Sequence, residues 1–287
     1  MKENTLQINK EDISKLVNAV IEEEHSSPIG FFSDNNLKHE YTYLENSKAR
    51  FIINLADIIN TIKPEKKRIL EIGPYFGILS VCLSRLGYDV YVLDIPEFIS
   101  NKKLQRRFEA NNVKFIPFNL KNNNFPYDNN FFDLIVMCEV LEHLNFNPLP
   151  MIKELNRILK DNSFVYLSLP NIASYKNRKS LLLGNSIHNP IEDFFKQLET
   201  NSMMIVDLHW REYSKKELIE LFNKSGFMIT KHYFLGSTDV YINYKNPRFI
   251  LKKIFYSIFQ SLKGTQICIF KKNTKFSIEL VFNSSNY

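Results

Sequence analysis

Cysteine, glycine and long hydrophobic runs are all scarce in this chain. Its 3 cysteines among 287 residues, Cys82, Cys138 and Cys268, lie far apart in apolar stretches, which favours buried free thiols and a reducing cytosol. No run of about 18 apolar residues is present, so no transmembrane helix is expected. The opening segment is polar rather than leader-like, and a cytoplasmic protein is expected. We attribute the low count of 8 glycines to the host genome rather than to function.

Dense clusters of basic residues are missing as well. The chain has 37 Lys and Arg against 31 Asp and Glu, a formal net charge of +6. No segment has the Lys and Arg density of a nucleic-acid binder, so no nucleic-acid partner is expected. With 44% hydrophobic residues the chain can fill a sizeable core, and its length suits one α/β domain with additions.

Short apolar strands alternate with helices through the middle of the chain. After a helix at 47–62, strands are predicted at 68–72, 88–94, 113–118, 132–138 and 163–169, with helices at 77–86, 96–110 and 148–159. A capping box at Ser214–Glu217 opens a further helix at 215–224, and two more strands are predicted at 228–234 and 265–270. This alternation predicts an α/β fold, a doubly wound sheet of seven mostly parallel strands.

The most informative stretch surrounds the first two strands. Residues 68–77 read RILEIGPYFG and residues 88–94 read YDVYVLD, a strand, a tight turn, a helix and a strand that ends on an acid. Gly73 lets backbone N–H groups approach a ligand, and the following helix offers its positive end. Asp94 follows Gly73 by about 20 positions, the spacing of an acid that binds ribose hydroxyls. The stretch predicts a site for an adenosine-containing ligand.

Glu71 and the glycine spacing distinguish between a dinucleotide and an adenosine ligand that carries an ammonium group. A dinucleotide site needs a third glycine where the helix packs beneath a pyrophosphate, and here the turn has only Gly73 and Gly77. This disfavours an NAD-dependent dehydrogenase or epimerase. A carboxylate at Glu71 suits a ligand with an ammonium group. The stretch LEIGPYFG resembles the first motif of the class I S-adenosylmethionine (SAM) methyltransferases, except at Tyr75, where that family usually has glycine.

The resemblance implies a Rossmann-like fold, SAM as cofactor and S-adenosylhomocysteine as product. Methyl transfer from SAM is an in-line displacement that needs no metal, and none is expected. The cofactor-binding residues implied are Glu71, Gly73, Tyr75, Gly77, Asp94, Ile95, Asn119, Leu120, Cys138 and Glu139. Tyr75 can also line the pocket wall and contact the acceptor. Asn119 stands where the family has an acid at the adenine edge; its amide can still bond adenine, or it is an ordinary turn residue.

A third motif, CEVLEHL at residues 138–144, resembles the E-V-L-E-H element that follows strand four in many small-molecule methyltransferases. It implies that residues 138 and 139 touch the cofactor, because the turn after a parallel strand faces the ligand crevice. His143 is a candidate general base, with an imidazole pKa near neutral. In the other interpretation, Glu142 and His143 only fix the loop.

Two later stretches resemble methyltransferases associated with bacterial surface polysaccharides. Residues 169–185 match their P-N-x-x-S-x-x-x-R pattern, and LHWREYS at 208–214 matches their H-x-R-x-(Y/F)-(S/T) element. They imply His209 as a second catalytic candidate and Tyr75, Asn171, Arg211 and Tyr213 as substrate-binding residues, with Arg211 holding an anionic group. The alternative is structural: Arg211 and Glu212 form ion pairs and His209 packs.

The predicted organisation has three parts. Residues 1–45 form an N-terminal helical arm whose segment 31–44 is a possible lid. Residues 46–272 form the methyltransferase domain, with a substrate cap at 171–213, expected to hold a short helix or two, and a basic amphipathic helix at 248–262. Residues 273–287 form a tail. Helix 248–262 is expected to pack on its own domain or on a second subunit, so membrane contact is not expected. The protein is expected to be a monomer or a homodimer.

The sequence therefore predicts a SAM-dependent methyltransferase. The favoured acceptor is a sugar, a nucleotide-sugar or a phosphorylated small molecule, O-methylated in the synthesis of bacterial surface polysaccharide. Another small acceptor, such as a quinone, an amine or a phosphometabolite, remains open. Because Tyr75 and Asn119 depart from the family pattern, a non-catalytic scaffold with this fold remains open too.

Overall fold

The computed structural model describes residues 8–31, 37–198, 208–240 and 245–273. Its strands are β1 (Arg68–Ile72), β2 (Asp89–Asp94), β3 (Lys114–Pro117), β4 (Phe132–Cys138), β5 (Leu159–Pro170), β6 (Phe227–Leu235) and β7 (Thr265–Lys272). Its helices are α1 (Lys10–Ser26), α2 (Leu37–Thr61), α3 (Ile78–Arg85), α4 (Pro96–Ile99), α5 (Lys102–Ala110), α6 (Leu149–Ile158), α7 (Tyr175–Leu182), α8 (Glu192–Gln197), α9 (Lys215–Asn223), α10 (Ser237–Val240) and α11 (Pro247–Ile258).

The seven strands form one sheet in the order β3-β2-β1-β4-β5-β7-β6. Pairs β1–β2, β2–β3 and β4–β5 are parallel, whereas β7 runs antiparallel to both β5 and β6. The doubly wound, mostly parallel α/β fold is thereby confirmed. The chain divides into two compact units, one ending at Phe118 and one beginning at Asn119.

The unit that ends at Phe118 contains the parallel strands β1, β2 and β3, and the glycine turn follows β1. Residues 69–72 of β1 are all buried, as expected of a strand covered on both faces. Ile72 pairs with Leu93 in the register of β1 and β2. Because the carboxyl ends of these two strands are level, the turn that follows β1 and the acid that ends β2 lie at the same edge.

Helices α1 and α2 belong to the same unit. Helix α1 begins where the side chain of Asn9 accepts a hydrogen bond from the backbone N–H of Asp12, which satisfies a donor that the first turn leaves open. Helix α2 begins at Leu37 rather than at residue 47 as predicted. Its buried face includes the polar Glu40 and Ser47, and these residues interrupt the apolar periodicity in the first part of the helix.

The predicted single helix at 96–110 is two helices. Helix α4 ends at Ile99, and the side chain of Asn101 accepts hydrogen bonds from the backbone N–H groups of Lys103 and Leu104 to begin α5. An Asn side chain that caps a new first turn ends the preceding helix, because the same backbone cannot continue both.

In the unit that begins at Asn119, the predicted cap carries helical structure. Residues 171–213 include α7 and α8, so the expectation of a short helix or two is confirmed for the part of the cap that the structure describes. Residues 199–207 of the cap, like residues 274–287 of the predicted tail, lie outside the described ranges. The predicted capping box is also confirmed: Ser214 and Glu217 bond reciprocally at the start of α9.

The amphipathic segment is shorter than predicted, because α11 ends at Ile258 and a 3₁₀ turn follows at Gln260–Leu262. None of its residues is buried, and Leu251 and Ile258 are each 68% exposed. Among the described residues the apolar stripe is therefore not buried against its own domain, and the other expectation, packing on a second subunit, stays a prediction. Among the helices that the structure describes, none combines the length and apolar character needed to cross a bilayer.

All three cysteines are free thiols, as predicted, but Cys138 is only half-buried rather than buried. Cys82 and Cys268 are buried, and burial raises the pKa of each thiol to about 12. A buried thiol held protonated packs like a small apolar side chain.

Candidate functional site

The turn after β1 has an unusual backbone. Gly73 and Gly77 have φ values of 70° and 71°, and Tyr75 between them has φ 50°. Glycine adopts this left-handed region readily, whereas a tyrosine there is strained. A Cβ at Gly77 would also collide with the ring of Phe108. Conformation thus favours glycine at both positions, and the contact with Phe108 requires it at Gly77. Tyr75 adopts a backbone conformation typical of glycine although it carries an aromatic side chain.

Asp94 ties the end of β2 to this turn. One carboxylate oxygen, Oδ1, accepts a hydrogen bond of 2.8 Å from the backbone N–H of Ile95, and Oδ2 accepts one of 3.3 Å from the N–H of Tyr75. Burial raises the pKa of Asp94 to about 7 although both N–H groups oppose the shift. The structure thus brings Gly73, Tyr75, Asp94 and Ile95 together, as the sequence predicted for a ribose-binding acid.

Glu71 lies one residue before the end of β1 and is buried. Its carboxylate accepts a hydrogen bond from the hydroxyl of Ser80 in the first turn of α3. Burial raises the pKa of Glu71 to about 7, and the charge of Asp94 adds to the shift. A cation placed beside Glu71 would lower that pKa again, which suits the predicted ammonium-bearing ligand.

An aromatic cluster, made of Phe31, Tyr43, Tyr75, Phe76 and Phe98, surrounds the turn. The rings of Phe31 and Tyr75 stack with centroids 5.2 Å apart and an interplanar angle of 9°. Tyr43 and Phe98 meet the Tyr75 ring edge-on at 5.3 and 5.1 Å. The N-terminal arm therefore contacts the turn through both ends of its predicted lid segment 31–44, of which residues 32–36 lie outside the described ranges. Closure of that segment over a ligand stays a prediction.

Asn119 and Leu120 begin the second unit. The side chain of Asn119 is exposed, and its Oδ1 accepts a hydrogen bond of 3.0 Å from the backbone N–H of Lys121. This geometry is typical of a turn residue, which was the alternative to adenine binding that the sequence left open for Asn119. Leu120 is buried. Contact of either residue with adenine stays a prediction.

The turn after β4 is strained at Glu139, whose φ is 55°. Its backbone N–H donates to the carbonyl of Ser168 at 2.7 Å, so the residue stays attached to β5 beyond the last paired residue, Cys138. A left-handed, non-glycine residue at the carboxyl end of a parallel strand is typical of functional turns. The position fits the predicted role of residues 138 and 139.

His143 and His209 lie side by side in the second unit. Their ring centroids are 4.8 Å apart and the rings cross at 78°. Nδ1 of His143 lies 3.1 Å from the carbonyl oxygen of Leu208, and Nδ1 of His209 lies 3.1 Å from Oε1 of Glu212. Burial, helped by His209, lowers the pKa of His143 to about 4. The expectation of a near-neutral pKa is therefore wrong: this imidazole is uncharged at neutral pH and is a weaker base than a free histidine.

The side chains of Arg211 and Glu212 are each paired, as the structural alternative from the sequence predicted. Arg211 contacts Glu217 at 3.0 Å and stacks over the ring of Tyr213 at 5.2 Å. Glu212 accepts hydrogen bonds from His209 and from Asn177. Although burial opposes it, these bonds lower the pKa of Glu212 below its ordinary value.

Arg211 and Tyr213 line a groove of about 740 Å³ together with residues 144–149, Trp210, Glu217, Glu220, Leu221 and Lys224. Asn171, the other predicted acceptor-binding residue of this unit, is buried. Its amide donates to the carbonyls of Ser261 and Lys263, and its Oδ1 accepts from Ala173 N–H. The Asn171 side chain therefore holds the loop after β5 together, and its contact with an acceptor stays a prediction.

Sequence reasoning missed the roles of Glu142, Asn177 and Glu212. Glu142 is fully buried beside His143, and Asn177 and Glu212 fix the ring of His209. The contacts of Asn177 join residues 35 positions apart and leave no local pattern.

Comparisons with known proteins agree on one fold. A family model described as a methyltransferase domain matches residues 42–232, well over half of the chain. A Haloferax volcanii methyltransferase solved in complex with the Trm112 methyltransferase activator has a TM-score of 0.53 at 15% identity, covering 80% of this chain and 93% of that one. A SAM-dependent methyltransferase of Aquifex aeolicus has a TM-score of 0.51 at 14% identity, covering 79% and 93%. At such identities the likeness shows the fold alone. No curated protein sequence matches significantly.

Proposed function

Because the chain belongs to this methyltransferase domain family, we propose that it transfers the methyl group of SAM to a small-molecule acceptor and releases S-adenosylhomocysteine. The observation that carries the proposal is the left-handed turn of Gly73, Tyr75 and Gly77, closed by a hydrogen bond from the Tyr75 N–H to Asp94. The glycines of such a turn let a ligand approach the backbone closely, and the acid can accept hydrogen bonds from two ribose hydroxyls.

The remaining cofactor contacts follow from the chemistry of SAM. Glu71 is assigned to the ammonium group of the methionine part, since a buried carboxylate with a raised pKa gains most from a nearby cation. Ile95 and Leu120 provide apolar contacts and Asn119 bonds the adenine edge. Cys138 and Glu139 contact the methionine and adenosine parts from the turn after β4.

The acceptor is proposed to be a sugar, a nucleotide-sugar or a phosphorylated small molecule of bacterial surface-polysaccharide synthesis. Supporting this are the likeness of 169–185 and 208–214 to methyltransferases of that process, and the cation of Arg211 at the groove. His143 and His209 are the candidates for removing the acceptor proton, and Tyr75, Asn171, Arg211 and Tyr213 for holding the acceptor. A quinone, an amine or another phosphometabolite is the alternative, and so is a SAM-binding scaffold without activity.

Calorimetric titration with S-adenosylhomocysteine tests the cofactor assignment. Asp94→Ala removes a charged acceptor of two ribose hydroxyls, each bond worth about 1.5–3 kcal/mol, so affinity should fall by about 100-fold or more. Asp89→Ala is the matched control, because Asp89 begins the same strand and is bonded to Lys114. Equal affinities in the two variants would remove the ribose assignment. Binding of NAD in place of S-adenosylhomocysteine would refute the proposed function.

A further inference from the structure

Three metal-ligating side chains converge in the unit that begins at Asn119. Glu142, His143 and His209 each offer one ligand atom, and these atoms all lie within 4.8 Å of one another. Nε2 of His143 is 3.9 Å from Oε1 of Glu142. An ion at the centre of such a triangle reaches all three atoms with small side-chain rotations, given metal–ligand bonds of about 2.0–2.2 Å.

The hydrogen bonds of the two rings set their tautomers. The carbonyl of Leu208 can only accept, so Nδ1 of His143, 3.1 Å away, carries the proton. The side-chain oxygen of Glu212 likewise accepts from Nδ1 of His209. With Nδ1 engaged in each ring, Nε2 is the nitrogen left to bind an ion. A histidine whose other nitrogen donates to a carbonyl or carboxylate is the usual arrangement of a metal ligand.

The backbone holds the two ligand-bearing segments together. The N–H of Trp210 donates to the carbonyl of Glu142 at 2.8 Å, and the N–H of Arg211 reaches the same oxygen at 3.3 Å. Behind His209, Oε2 of Glu212 accepts a hydrogen bond of 2.8 Å from Asn177. The ligand set is therefore positioned by contacts that do not depend on an ion, as a preorganised site requires.

We propose that Glu142, His143 and His209 bind a divalent first-row transition-metal ion such as Zn²⁺. Imidazole and carboxylate ligands in this ratio suit Zn²⁺, Fe²⁺, Mn²⁺ and Co²⁺, and three protein ligands leave a position open to a further oxygen ligand. The expectation from the sequence was that no metal is needed. The structure instead brings two imidazoles and one buried carboxylate within reach of a single ion.

The role of the ion rests on the proposed function. An acceptor hydroxyl bound at the open position would release its proton to solvent, because a metal ion lowers the pKa of a bound hydroxyl. The oxygen then forms the C–O bond to the SAM methyl, the C–S bond breaks, and its electron pair stays on sulfur as the thioether. With Nε2 held by the metal, His143 and His209 serve as ligands and not as free bases.

Titration of the chelator-treated, full-length protein with Co²⁺ tests the site through the visible absorption of the bound ion. We expect one equivalent to bind, and His143→Gln and His209→Gln to weaken binding at least 100-fold. His188→Gln, at an exposed position of the cap, is the matched control and should bind as the parent does. Glu212→Gln should weaken binding about 10-fold or more through the orientation of His209.

Absence of a saturable Co²⁺ spectrum, or equal binding in the His143, His209 and His188 variants, would overturn the site. Titration of the same variants with S-adenosylhomocysteine checks that they are folded and separates the two proposals. Cofactor binding without metal binding contradicts only the metal site. Metal binding without cofactor binding supports the metal site and contradicts the proposed methyl transfer.

Discussion

Replacing Tyr75 by alanine and, separately, by glycine measures the strain in the turn after β1. Both variants lose the same ring and the same contacts with the aromatic cluster, so the difference between them isolates the backbone. A non-glycine residue in the left-handed region costs about 1–2 kcal/mol, whereas the extra freedom of glycine in the unfolded chain costs about 0.5–1 kcal/mol. With φ 50° at Tyr75, we expect Tyr75→Gly to be more stable than Tyr75→Ala by about 0.5–1 kcal/mol.

Differential scanning calorimetry gives the comparison. For a chain of this size, 1 kcal/mol corresponds to about 2–4 °C in Tm, so the glycine variant should unfold about 1–4 °C above the alanine variant. Arg106 is the matched control: it is exposed within α5, where alanine should instead be the more stable residue by about 1 kcal/mol. Equal Tm values for the two Tyr75 variants, or the same order as at Arg106, would refute the left-handed backbone at this position.

Two further predictions concern the same turn. Gly77→Ala should lower Tm by several degrees and weaken S-adenosylhomocysteine binding, because it adds strain at φ 71° and a clash with Phe108; unchanged calorimetric values would contradict this. Burial raises the pKa of Glu71 from 4.5 to about 7, so the stability it confers is present below pH 4.5 and is lost as pH rises through 7. Glu71→Gln should therefore flatten the decline of Tm between about pH 5 and 7, measured without cofactor, and an unchanged slope would show that another group causes it.

The glycine turn after β1 and the acid that ends β2 could be predicted because each has a signal within a short stretch of sequence. A glycine directly after a predicted strand indicates a tight turn, because glycine adopts the left-handed backbone readily. The distance of about 20 positions from Gly73 to Asp94 then indicates a ribose-binding acid. The capping box at Ser214 was predictable for the same reason.

The rest of the site depends on contacts between distant segments. The sequence offered ion pairs of Arg211 and Glu212 as an alternative but could not name their partners. The start of α9 brings Glu217 to Arg211, and His209 bonds to Glu212. The pKa of His143 depends on burial, which no short motif encodes. The contact of Phe31 with Tyr75 likewise joins residues from separate elements. The sequence offered segment 31–44 as a possible lid but could not name this pair.

The stacking of Phe31 on Tyr75 links the substitutions that the turn can tolerate to those that the N-terminal arm can tolerate. With tyrosine at position 75, the strained backbone is held by the rings around it, so the arm and the turn are bound to change together. A glycine at the same position would need no such support, and the arm could then vary freely. Tyr75 therefore restricts the order in which substitutions are tolerated: the turn must relax before the arm can lose Phe31. Homologues that keep the aromatic residue in the turn should also keep an aromatic residue in the arm.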